Sequence, residues 1–72
     1  MLKMSEELSP ESISTMLQHW IEHNERHSES FNEWAMRLKD AGYRRAGEEI
    51  MHAAEKMDQS TECLKRAIKE IP

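Results

Sequence analysis

The longest stretch of the chain without glycine or proline runs from Glu11 to Ala41. Along it, large apolar residues and two polar ones recur in alternating steps of four and three. This heptad spacing is typical of a helix that packs one stripe of side chains against another helix. The stripe consists of Ile13, Leu17, Trp20, Asn24, His27, Phe31, Trp34 and Leu38. The stretch therefore predicts one long helix with a contact stripe suited to a helical partner.

Local signals mark both ends of this helix. Ser9 is a preferred N-cap residue, and Pro10 suits the first helical position because its missing N–H has no partner there in any helix. Gly42 can adopt the left-handed conformation that closes a helix. We therefore expect the first helix to span about residues 10–40.

A second stripe follows Gly42 and repeats every seven residues, at Ile50, Met57, Leu64 and Ile71. A short turn between two helices forces them to lie antiparallel. The sequence thus predicts an all-α fold, an antiparallel two-helix hairpin with its second helix at about residues 43–71. The expected organisation is a helical hairpin over 9–72, preceded by a flexible tail over 1–8.

Two helices alone leave the largest side chains partly in water. Trp20, Phe31 and Trp34 would each keep a ring edge exposed, and a second hairpin would cover them. Asn24 and His27 form a polar layer within the stripe, a device that commonly fixes the register and oligomeric state of helical bundles. These residues predict an interface in a homodimeric four-helix bundle; a monomer and a hairpin capped by another protein are the alternatives.

Composition excludes several classes of partner. A net charge of −4 and a pI near 5.5 argue against nucleic-acid binding, which requires lysine and arginine massed on one face. No apolar run is long enough for a membrane span.

Cys63 is the one cysteine, so no internal disulfide can form, and we expect a reducing, cytoplasmic location.

His19, His23 and His27 stand four residues apart on the first helix. Successive members rise by about 6 Å and rotate by about 40°, so the three cannot hold one ion. A pair can chelate a zinc, nickel or cobalt ion, and His23 with His27 is the predicted metal pair, with His19 as the alternate. The remaining ligands would come from a second chain or from the second helix, where Asp58, Glu62 and Cys63 are available.

The same histidines also have a purely structural interpretation. In it, His27 is a hydrogen-bonded core residue beside Asn24, while His19 and His23 are ordinary surface residues. Glu49 and His52 have the spacing of a di-iron ligand pair, but both should face outward from the second stripe. Cys63 lacks a neighbouring base that would activate it, so the sequence predicts no catalytic residue and no enzymatic activity.

The run HWIEHNERHSESFNEWAMRLKDAG resembles a group of short, largely uncharacterised prokaryotic helical-hairpin proteins. Their pattern, His-Trp/Leu-Ile-x-His-Asn-x-x-His, is followed by an aromatic residue, Trp-Ala and a glycine hinge. The resemblance implies a hairpin fold and a structural or functional role for the histidine and asparagine cluster, without an established activity. The matching positions here are His19, Trp20, Ile21, His23, Asn24, His27, Phe31, Trp34, Ala35 and Gly42.

The predicted function is binding. The leading hypothesis is a small, self-associating interaction or accessory module that forms a homodimer or engages a protein partner. The rival hypothesis is a transition-metal-binding protein that uses the ladder of His19, His23 and His27. An enzyme of unidentified type is the third.

Overall fold

A computed structural model describes residues 8–72 of the chain. It contains two helices, α1 over Pro10–Asp40 and α2 over Arg44–Lys69, packed against each other, with no strand in the described part. The predicted all-α helical hairpin is confirmed. The predicted tail lies outside the described residues except for Leu8, which is exposed.

Neither helix, within the part of the chain that the structure describes, carries an apolar stretch long enough to cross a membrane.

The first helix begins at the predicted cap. The Ser9 side chain accepts a hydrogen bond from the backbone N–H of Ser12 at 3.1 Å, and Pro10 occupies the first turn. The serine thereby satisfies one of the amide groups that the start of a helix leaves without an intrahelical partner. Glu11 in the first turn and Lys39 in the last complement the helix dipole.

The hinge depends on a glycine in the left-handed conformation. Gly42 has φ of 97°, and its N–H donates to the Lys39 carbonyl at 3.1 Å. The N–H of Tyr43 donates to the Leu38 carbonyl at 2.8 Å. This pair of bonds is the Schellman motif, which satisfies carbonyls at the end of α1 and turns the chain back.

The contact between the helices is shifted by one residue from the predicted stripe at every second position. Where Trp20, His27 and Trp34 were expected, the structure buries the residue that follows each of them. We call the buried and half-buried contact positions between the helices the seam. On α1 they are Ser14, Leu17, Ile21, Asn24, Ser28, Phe31, Ala35 and Leu38, and on the second half of the chain Gly47, Ile50, Ala54, Met57, Thr61, Leu64, Ile68 and Ile71.

Side-chain size explains the shift. Ala35 is 0% exposed and lies against Gly47, while the indole of Trp34 is left on the outside. Small residues allow two helix backbones to approach closely, whereas a tryptophan at the same level would hold them apart. Trp20, His27 and Trp34, which belong to the predicted stripe, therefore lie beside the seam rather than within it.

The closest approach occurs near the hinge. A Cβ atom added to Gly47 would lie 2.7 Å from the backbone carbonyl oxygen of Ala35 and 2.7 Å from Cγ of Lys39. The lysine side chain can move aside, but the carbonyl belongs to the backbone of α1. The glycine is therefore required by packing, although glycine is unfavourable inside a helix.

We predict that Gly47→Ala destabilises the hairpin by about 1–3 kcal/mol, because relieving the overlap forces the helices apart. Helix propensity alone would give the opposite sign, a gain of about 1 kcal/mol. Thermal unfolding followed by circular dichroism measures the difference. The control is Gln59→Ala, at an exposed position of α2, which should change stability by less than about 0.5 kcal/mol. A Gly47→Ala protein that melts at a higher temperature than wild type would contradict this packing.

Candidate functional site

On one side of the hairpin, polar contacts join the two helices. The Ser28 hydroxyl donates to Oδ1 of Asp58 at 2.6 Å, and Lys65 Nζ lies 3.6 Å from Oε2 of Glu25. Lys39 Nζ lies 3.1 Å from the Met51 sulfur on the same side. We call this the polar side. Ser28 is buried, whereas the charged side chains of the polar side are exposed or half-buried.

The opposite side, which we call the open face, is mainly apolar. Both helices are right-handed and run in opposite directions. A residue that comes one position before a seam residue therefore lies on the same side of the hairpin, whichever helix it belongs to. On α1 this side carries Ile13, Trp20, His27 and Trp34, bordered by the half-buried Asn24, Phe31 and Leu38. On the second half of the chain it carries Ala46, Ala53, Ser60 and Ala67, bordered by Ile50, Met57, Leu64 and Ile71.

Large aromatic surface remains uncovered on the open face. Trp20 is 43% exposed and Trp34 is 53% exposed. The Arg37 guanidinium stacks over the Trp34 ring, 4.4 Å from its centroid, and covers part of one side of the indole. By contrast, the buried apolar residues among 8–72 are Leu17, Ile21, Ala35 and Ala54, two of them alanines. The hairpin thus buries aliphatic side chains of small and medium size and leaves both tryptophans exposed.

The three histidines form a row of rings along α1. The rings of His19 and His23 are nearly parallel, with centroids 6.3 Å apart. Those of His23 and His27 meet edge to face at 4.4 Å, and Phe31 continues the row 6.0 Å beyond His27. The row borders the open face, and all three histidines are exposed.

Two of the three histidines converge on one point. Nε2 of His23 lies 3.1 Å from Nε2 of His27. Metal–imidazole bonds of about 2.0–2.1 Å to both atoms would meet at an angle of about 95–100°, between the octahedral and tetrahedral values. The separation also suits a single hydrogen bond, with the donor set by the tautomers. His19 has no such convergence with His23, since their rings lie side by side.

The second helix does not complete this pair. Asp58 accepts the Ser28 hydroxyl on the polar side, Glu62 lies 3.7 Å from Lys65, and the exposed Cys63 thiol lies 3.3 Å from the Arg66 guanidinium. Within residues 8–72, no three histidine, cysteine, aspartate or glutamate side chains come close enough to share an ion. In the described hairpin, Asp58, Glu62 and Cys63 of α2 therefore do not join the pair formed by His23 and His27.

The polar positions buried in the seam differ from those expected. Within residues 8–72 of the single hairpin, the buried polar residues are Ser28 and Thr61, whereas His27 is exposed. The Thr61 hydroxyl donates to the Met57 carbonyl of its own helix at 2.9 Å. Sequence reasoning missed the bond from Ser28 to Asp58, although Ile21, Ser28 and Ala35 repeat every seven residues and gave the available signal.

Comparison with known proteins agrees with a short protein of uncharacterised role. An uncharacterised protein of Archaeoglobus fulgidus is 33% identical over 58 residues, which cover 81% of this chain and 92% of the relative. No solved structure matches the chain. A domain of unknown function, DUF8180, matches residues 13–71, from the first open-face residue of α1 to the last seam residue. The chain belongs to the DUF8180 family.

Proposed function

We propose that the protein is a small self-associating interaction module, in which the open faces of two hairpins pack together as a homodimeric four-helix bundle. The main support for this proposal is that Trp20 and Trp34 are exposed on one side of the hairpin, whereas the other side is polar. Burial of apolar surface contributes about 25 cal/mol per Å². Contiguous exposed apolar patches of this kind commonly mark protein interaction sites.

The arrangement of the open face favours a second copy of the chain as the partner. Its α1 residues are placed symmetrically about a point between positions 25 and 26. A two-fold axis at that point brings an antiparallel α1 alongside the first. Trp20 is then level with Phe31 of the partner subunit, and Asn24 is level with His27 of the partner subunit. The large rings alternate along the contact, and the polar groups meet at its centre.

The ends of the stripe follow the same symmetry. Ile13 is level with Leu38 of the partner subunit, and Trp34 is level with Leu17 of the partner subunit, a residue buried in the seam of its own chain. The open-face residues Ile13 and Trp34 thereby face apolar levels of the partner, while the small residues of the second helix, such as Ala46 and Ala53, leave room for the rings. The central Asn24 and His27 would set the register, because any slip along the axis separates the polar groups.

The proposal includes a binding rather than a catalytic role, and a cytoplasmic setting. A lone, exposed thiol such as that of Cys63 remains reduced in such a compartment. A different protein with an apolar helical face is the competing partner, and the oligomeric state of the purified chain separates the two.

We predict that light scattering gives the mass of two chains at micromolar concentration. Trp34→Ala should raise the dimer dissociation constant at least about 30-fold, because an interface tryptophan typically contributes about 2 kcal/mol or more. The matched control is Met36→Ala, which removes a side chain that is 66% exposed and lies away from the open face. A wild-type monomer would refute the homodimer, and equal weakening by both substitutions would refute this choice of face.

Transition-metal binding is a second candidate function, favoured by the 3.1 Å separation of the His23 and His27 Nε2 atoms. The exposure of both rings leaves their nitrogens accessible to an ion from solution. The metals that suit imidazole ligands include zinc, nickel and cobalt. This function is compatible with self-association, since the pair borders the open face.

Calorimetric titration of Zn²⁺, Ni²⁺ and Co²⁺ into the purified protein tests the second candidate. We expect His23→Ala and His27→Ala each to abolish binding, because one imidazole is a weak ligand on its own. His19→Ala and His52→Ala should bind as wild type does, since neither residue takes part in the converging pair. Wild type that shows no heat with any of the three ions, or loss of binding in His19→Ala alone, would rule out this site.

A further inference from the structure

The converging pair of histidines offers two of the ligands that a zinc site requires. A single hairpin offers the Nε2 atoms of His23 and His27, and within residues 8–72 no third potential ligand of the His, Cys, Asp or Glu type joins them. Zinc bound as a structural ion takes four protein ligands. Two imidazoles from one chain therefore leave two positions to be filled.

We propose that the missing ligands are His23 and His27 of a second copy, so that one zinc-like ion lies between two chains at their two-fold axis. This inference rests on the self-association proposed above. The ion would be held by four imidazoles, each binding through Nε2 with its proton on Nδ1. The hairpin pre-sets one pair at nearly the required separation, and dimerisation supplies the other pair.

The proposed two-fold axis lies close to both His23 and His27. A two-fold axis between positions 25 and 26 lies one to three residues from both histidines, so all four rings fall in the same short stretch of the bundle. His27 and His23 of the partner subunit differ in level by about one residue, a rise of about 1.5 Å. The pairing of Trp20 with Phe31 of the partner subunit by itself places the axis at this point, and the histidine pairs of the two chains then lie at the same level.

His19 fits this arrangement less well. It lies one to two turns from the same axis, about 10 Å along the helix, and is therefore about 20 Å along the helix from His19 of the partner subunit. Its ring stacks beside His23 and leaves Nε2 of His23 free to point toward His27. His19 therefore serves as a matched control for the loss of one imidazole from the same row.

Such a site couples metal binding to self-association. An ion that binds the dimer and not the monomer stabilises the dimer by mass action. Coupling free energies between linked binding events typically correspond to 5–150-fold changes in affinity. We therefore expect saturating metal to lower the dimer dissociation constant by at least about tenfold, and chelation of the metal to reverse the change.

The test uses the full chain, purified without a histidine tag, and Co²⁺ as the probe, because the visible spectrum of Co²⁺ reports its coordination geometry. Titration should saturate at one Co²⁺ per two chains with the spectrum of a tetrahedral nitrogen site. Analytical ultracentrifugation with and without Co²⁺ then measures the dimer dissociation constant. His23→Ala and His27→Ala should lose both the spectrum and the metal-dependent change in dissociation constant, while His19→Ala keeps both.

The outcomes separate this inference from the proposed function. A dimer that binds no Co²⁺ overturns the shared site and leaves the self-associating module intact. One Co²⁺ per chain with an unchanged dissociation constant shows that each hairpin chelates alone, which also overturns it. A monomer with and without Co²⁺ overturns the site and the dimer together. Circular dichroism of each variant confirms that its helices remain folded, so that loss of binding reports on the ligands.

Discussion

The close packing of Ala35 against Gly47 governs the arrangement of the rest of the hairpin. A Cβ atom on the glycine would lie 2.7 Å from the Ala35 carbonyl oxygen, so the two backbones approach as nearly as side chains allow. This contact fixes the rotation of both helices about their axes near the hinge. Once the rotation is fixed, the heptad repeat decides which residues lie in the seam along the whole length.

The rotation gives the molecule two unlike sides. On one, Ser28 donates a hydrogen bond to Asp58 and Lys65 lies beside Glu25, contacts that join the two helices. On the other, Trp20, Phe31 and Trp34 remain partly or largely in contact with water. A pair of helices is a single layer, and a stable domain normally needs two layers around one core. The missing layer is the physical reason for proposing a second hairpin.

The histidine row lies along α1 at the border of the open face. His23 and His27 lie close enough for their Nε2 atoms to share either a proton or an ion, yet the hairpin provides them with no further ligand among the described residues. Their position near the centre of α1 places them next to any two-fold axis through that centre. The proposed dimer would cover the exposed aromatic side chains and, in the same event, bring a second histidine pair beside the first. This is the physical connection between the two proposals.

The sequence by itself determined the elements of the fold. Ser9, Pro10 and Gly42 act through local backbone chemistry, so the cap and the hinge were predictable from the residues alone, as was the hairpin. The choice between Trp34 and Ala35 as the contact residue was not, because both fit a heptad position and differ only in how near a second backbone can come. The spacing of His23 and His27 indicated that their rings could meet, but the 3.1 Å separation of their Nε2 atoms depends on the side-chain rotamers. The choice of contact residue depends on three-dimensional packing, which residue spacing along one helix does not encode.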